Sequence, residues 1–169
     1  MKPASVTLIK QELSRLPQKE LLQICLRLAR FRNENKELMS FLLFETGNEE
    51  DFLRSVKHEI AQSFSEINPS SSYYIRKSIR KILRTINKYI RFSGSKQFEV
   101  ELRLFFCRTM KSTGMLLPEV TSIVNLYAGQ LEKIRKLLPL LHEDLRHDYQ
   151  EELKRSEERR VGKECRSRW

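Results

Sequence analysis

Between Glu66 and Glu99 the chain contains no acidic residue, and within that interval Ile75, Ile79, Ile82, Ile86 and Ile90 recur at steps of four, three, four and four. These steps keep side chains on one face of an α-helix, whereas a half-buried strand alternates every second residue. At about 100° of rotation per residue, the isoleucines with Leu83 and Tyr89 fill an arc of roughly 120°. Arg76, Arg80, Arg84, Lys88 and Arg91 fall opposite, with Lys77 and Lys81 beside them. The spacing predicts one long helix from Ser72 to the Ser93-Gly94-Ser95 break. Half of its surface is core and the other half is continuous positive charge.

That charge is local. Residues 67–98 hold eight basic side chains and no acidic one, within a chain whose net charge is +10. A second basic contribution comes from the C-terminal stretch Arg155 to Trp169, RSEERRVGKECRSRW, with six basic and three acidic side chains. This stretch resembles a translated sequencing-library adapter. It is expected to be non-native and disordered, with Trp169 exposed, leaving residues 1–154 as a single helical domain, long enough for a real core. A localised positive field steers and holds anions, whereas diffuse charge serves mainly solubility.

The remaining segments also read as helices. Leu8, Ile9, Leu13 and Leu16 stripe a short first helix over 5–16, and Pro17 suits the first position of a second, 17–31. The third, 34–45, carries Leu38, Met39, Phe41, Leu42, Leu43 and Phe44 almost all the way round, so it is expected to be largely buried. Gly47 suits a left-handed helix end, and Asn48 suits a cap before Glu49, Glu50 and Asp51. The fourth helix buries Phe52, Leu53, Val56, Ile60, Phe64 and Ile67. After the basic helix, Ser95 caps a sixth over 96–112, expected to bury Phe98, Leu102, Phe105, Phe106 and Met110. From Pro118 one apolar phase runs through Ile123, Tyr127, Leu131, Ile134, Leu138, Leu141, Leu145 and Tyr149, with a kink or tight joint expected at Pro139. The fold expected is all-α, about seven helices packed as antiparallel hairpins, in a bundle or a short helical-hairpin array.

No apolar run is long enough to cross a bilayer, the N-terminus lacks the pattern of a secretory signal, and Cys25 and Cys107 stand singly without metal or redox spacing. Both cysteines are expected to be small core residues, and the protein is expected to be cytoplasmic and not membrane-bound. His142, Glu143, Asp144, His147, Asp148 and Glu151 form a polar cluster near the C-terminus. The two histidines are five apart, not at the four-residue spacing of a zinc helix, so a solvated final helix is the better reading. The Ser93-Gly94-Ser95 turn, with Arg91 and Lys96 beside it, is the best small-anion site in the sequence. Phosphate-loop, dinucleotide and nucleophile-elbow motifs are absent, so neither cofactor nor metal is expected.

The expected function is a non-enzymatic binding module. Arg76, Lys77, Arg80, Lys81, Arg84, Lys88, Arg91 and Lys96 would contact a polyanion, foremost a nucleic-acid backbone read without sequence specificity. Tyr73, Tyr74 and Phe92 could add stacking. The alternative is a protein-interaction or structural module whose basic face meets an acidic partner, or a face that is merely solvated or paired with neighbouring acids. The segments SIRKILRTINKYIRFSGSKQFEVELRLFFC and LPQKELLQICLRLARF resemble a group of bacterial all-helical proteins that carry no assigned activity. That resemblance, over residues 5–153, implies a helical cytoplasmic protein and nothing about chemistry.

Overall fold

The computed structural model describes the backbone of residues 2–164 and the side chains of residues 2–157. The described residues form eight α-helices and no strand: α1 Val6–Leu13, α2 Gln18–Phe31, α3 Asn33–Ser40, α4 Glu49–Ser65, α5 Ser72–Ser93, α6 Lys96–Ser112, α7 Thr121–Leu137 and α8 Glu143–Glu164. A π-helical turn, Phe41–Glu45, prolongs α3, and a 3-10 turn, Leu138–Leu140, joins α7 to α8. No helix among the described residues is long and apolar enough to cross a membrane. The chain divides into two compact units, Met1–Gly47 and Asn48–Trp169.

In the first unit, α2 packs on α3, and Asn35 Nδ2 donates to the Leu28 carbonyl at 2.9 Å. Ser5 caps α1. Pro17 sits one place earlier than expected: it is the N-cap of α2, and its carbonyl accepts from Glu20 and Leu21. The expectation of a buried third helix is corrected. Phe41 is buried, but Leu42, Leu43 and Phe44 are 55%, 67% and 78% exposed. A unit of three short helices has too little volume to enclose a helix that is apolar on every side. For the same reason Cys25 is exposed rather than a core residue.

The second unit is organised around α6. Its neighbours α4, α5, α7 and α8 all pack on it, which explains why its buried residues, Phe98, Val100, Leu102, Arg103, Leu104, Phe106, Cys107 and Met110, span an arc of roughly 240° around the helix. α4 contributes Phe52, Val56, Ile60 and Phe64 at four-residue steps. α5 contributes Ile75, Ile79, Ile82, Leu83 and Ile86, and each such side chain stabilises by about 1.5–3 kcal/mol when removed from water. Phe105, expected in the core, is half-buried beneath Arg108, and Phe106 takes the core position. Burial pushes the Cys107 thiol up to about 12, so it behaves as a small apolar side chain.

Local chemistry sets the helix ends. Asn48 Oδ1 accepts from the Asp51 amide and caps α4. Gly47 does not adopt the expected left-handed conformation; Gly94 and Gly114 do, at φ 66° and 70°. Gly94 ends α5 there, and a side chain at either position would be strained. Ser71 and Ser95 cap α5 and α6. At Pro139 the chain makes a tight joint: α7 stops at Leu137, one 3-10 turn follows, and α8 restarts at Glu143.

The apolar phase continues across that joint to Leu153 and Ser156, both buried. The expectation of an unpacked tail from Arg155 is therefore corrected for its first residues. The Ser156 carbonyl accepts from the Tyr127 hydroxyl at 3.1 Å and from Lys111, and Glu157 pairs with Arg135 at 2.9 Å. α8 continues to Glu164, and Trp169, expected to be exposed, lies outside the described residues.

Candidate polyanion-binding groove

A helix with one basic face becomes a site only if neighbours shape that face and leave its charge unneutralised. Both conditions are met along α5 from Arg76 to Arg84. Between α5 and α7 lies a groove of about 670 Å³, lined by Tyr73, Arg76, Lys77, Arg80, Leu83, Arg84, Asn87, Leu126, Gln130 and Lys133. Arg76, Arg80 and Arg84 enter it at four-residue steps because they occupy one edge of the α5 polar face, next to the buried Leu83. Lys77, Arg80 and Arg84 are exposed. Arg76 is half-buried, donates to Ser122 Oγ on α7 at 3.4 Å, and lies over the Tyr73 ring at 5.9 Å.

Among the described residues no ion pair ties Arg76, Lys77, Arg80, Lys81 or Arg84 to a carboxylate. Several acidic groups of the second unit are engaged elsewhere. Glu99 pairs with Arg103, Glu101 with Lys57, Glu152 with Arg108, and Glu132 with Arg135 and Lys136.

The groove takes four of the eight basic residues singled out in the sequence. Lys81 is exposed on the other flank of α5. Lys88 is half-buried and lies over the Tyr89 ring at 4.6 Å. Arg91 and Lys96 are exposed near the α5–α6 junction. Of the aromatic side chains, Tyr73 and Tyr74 are exposed and stack edge to face on each other. Phe92 is buried, so it has no face left for a base.

Three groove residues were not legible in the sequence. Lys133 arrives from α7, where Glu132-Lys133-Ile134-Arg135-Lys136 gives no cue to which cation faces α5. Burial and the nearby Arg103 hold its ammonium below the usual lysine range, partly offset by Glu99. Asn87 and Gln130 are aimed by the buried Arg103, which donates to Asn87 Oδ1 at 3.3 Å and to Gln130 Oε1. Arginine can only donate, so both amides must turn their oxygens toward it. The Asn87 N–H donors are thereby left for the groove, and the Gln130 amide faces the Leu126 carbonyl at 3.5 Å.

The other candidates do not assemble. Ser93 Oγ donates to Glu49 Oε1 at 2.6 Å, which places a carboxylate where the Ser93-Gly94-Ser95 anion site would need positive potential. His142 and His147 are exposed beside Asp144 and Asp148, and no group of three metal-capable side chains converges among the described residues. Comparison with protein-family models, with curated proteins and with solved structures returns no match for this chain.

Proposed function

We propose that this protein is a non-enzymatic binding module whose α5–α7 groove and adjoining α5 face hold a polyanion, foremost a nucleic-acid backbone bound without base specificity. One observation carries the reading: Arg76, Lys77, Arg80 and Arg84 share a groove with Lys133, and no ion pair neutralises the four α5 cations among the described residues. Guanidinium groups at four-residue steps along a helix match a run of phosphates, and release of condensed counterions makes the attraction salt-dependent. The exposed Tyr73, which lines the groove, and Tyr74 against it add faces on which unpaired bases can stack. A cytoplasmic setting, where nucleic acid is accessible, suits the reading.

The test is fluorescence anisotropy with short single- and double-stranded DNA and RNA, on a chain ending at Glu157. That end keeps the packed residues and removes the basic side chains beyond them. Binding is expected to be independent of sequence and to weaken steeply between about 50 and 200 mM salt. Changing Arg76, Arg80 and Arg84 to Glu should abolish it, whereas changing Arg27, Arg30 and Arg32 should do little. Absence of binding at 50 mM salt and micromolar protein would reject nucleic acid, and an acidic protein partner would take its place.

A further inference from the structure

The Met1–Gly47 unit has almost no interior. None of the residues of α1, α2 or α3 is buried, and Phe41 in the π-helical turn is the one buried side chain among residues 2–47. Yet the unit is rich in large apolar side chains. On α2 they run from Phe31 round to Leu26 over an arc of roughly 220°, with Leu22, Leu26 and Phe31 58%, 43% and 74% exposed. The π-helical turn adds Leu42, Leu43 and Phe44, all more than half exposed. Together the exposed apolar side chains of this unit present on the order of 1,000 Å². That sum is about what one partner gives to a stable protein–protein interface.

The shape of this surface narrows what covers it. A bilayer covers a helix from one side and needs the other side polar. An apolar arc wider than half a turn on α2, and four consecutive apolar residues in the following turn, must instead be enclosed. The charges also argue against an anionic lipid surface, because Glu12, Glu20, Glu34, Glu37 and Glu45 are interleaved with the basic residues. A unit of under 50 residues without disulfide bonds or metal commonly obtains its core by association. A second copy of the same unit has the same need and the same area to offer, and a two-fold arrangement satisfies both at once. We propose that the Met1–Gly47 units of two chains pack together, forming a shared helical core that makes the protein a homodimer independently of the basic groove.

Light scattering coupled to gel filtration on the full chain, at about 1–100 µM, reads the outcome. The expected mass is twice that of the chain. Phe31→Glu with Phe44→Glu should halve it while circular dichroism retains the helicity of residues 48–164. Arg80→Glu with Arg84→Glu should leave the dimer intact, which separates this proposal from the function of the groove. Hydrogen exchange on the unaltered chain serves as a second measurement that does not depend on the variant folding: protection of residues 18–44 should rise with concentration. A wild-type monomer throughout the range overturns the proposal, whether or not it sediments with anionic vesicles. So does a dimer that survives the double glutamate variant, or protection that rises with concentration only within residues 48–164.

Discussion

Arg103 Nη2 lies 2.6 Å from Glu99 Oε1, one helical turn away on α6, with only 5% of the Arg103 side chain and 22% of the Glu99 side chain exposed. The buried Arg103 guanidinium is thus balanced from within its own helix, while its remaining donors hold Asn87 and Gln130 of the groove lining.

Replacing Glu99 with Gln should therefore be costly. It leaves a buried cation without its counter-charge, which costs about 3–5 kcal/mol where burial is nearly complete. Urea denaturation should show a lower midpoint with an unchanged slope. An unchanged midpoint would mean that water already solvates Arg103.

Lys133 gives the groove a pH signature. Its ammonium is held below the ordinary lysine value, first by burial and then by Arg103. Phosphate favours the charged form, so binding should draw a proton onto Lys133. Affinity should fall as pH rises through the depressed lysine value, below 10.5. Lys133→Arg should bind as well at neutral pH and lose that fall, because arginine stays charged. Anisotropy titrations from about pH 7 to 10 on both proteins check this; superimposable profiles would remove Lys133 from the site.

A half-buried polar node contributes to the acid sensitivity of the fold. Glu101 on α6 accepts from Lys57 on α4 at 2.9 Å and from the Tyr149 hydroxyl on α8 at 2.7 Å. Burial alone would raise its carboxyl, but the hydrogen bonds from Lys57, Tyr149 and Gln97 and the Lys57 charge bring it below 4.5. A carboxyl lowered by folding stabilises above its unfolded value, and that stability is lost as pH falls through the folded value. Burial and the Glu101 hydrogen bond push Tyr149 upward, which keeps it a donor. Glu101→Gln should cost about 1–3 kcal/mol at neutral pH and flatten the loss of stability below pH 4.5. Thermal melts from about pH 3 to 7 read both effects.

Truncation at two points separates the packed end of α8 from the residues beyond Glu157. Ending the chain at Lys154 removes the Ser156 carbonyl that Tyr127 and Lys111 use, and the Glu157 partner of Arg135. An unsatisfied buried hydroxyl costs about 1–3 kcal/mol, so the melting temperature should fall by several degrees. Ending it at Glu157 should restore most of that loss. Equal melting temperatures for the two would show that Ser156 and Glu157 contribute nothing.

α4, α5 and α6 were legible because they have complete stripes and side-chain caps. Ile79, Ile82 and Ile86 are buried as their spacing requires, and Asn48, Ser95 and Gly94 end helices through chemistry local in sequence. The first unit misled for a physical reason: a helix apolar on all sides signals enclosure, but does not say by what. Phe41 to Phe44 read as core, yet three of the four are exposed in this chain. Half of the groove was visible as a one-sided basic helix. The other half required knowing which face of α7 meets α5, and α7 carries cations at Lys133, Arg135 and Lys136 alike. At the start of the tail, charge and likeness to an adapter mask a quieter signal, the apolar phase that reaches Leu153 and ends on the small residue Ser156.

The walls of the groove stand on a common strut. α5 and α7 both pack on α6, through side chains such as Ile86, Ile123, Leu102 and Phe106 that are 0% exposed. The distance between the arginines of one wall and Lys133 of the other is thus a matter of side-chain volume inside α6, as the opening of a caliper is set by its beam. Protein interiors are packed too tightly to absorb a lost methylene without movement. A conservative change deep in α6, removing no charge, would then alter the spacing between the α5 arginines and Lys133.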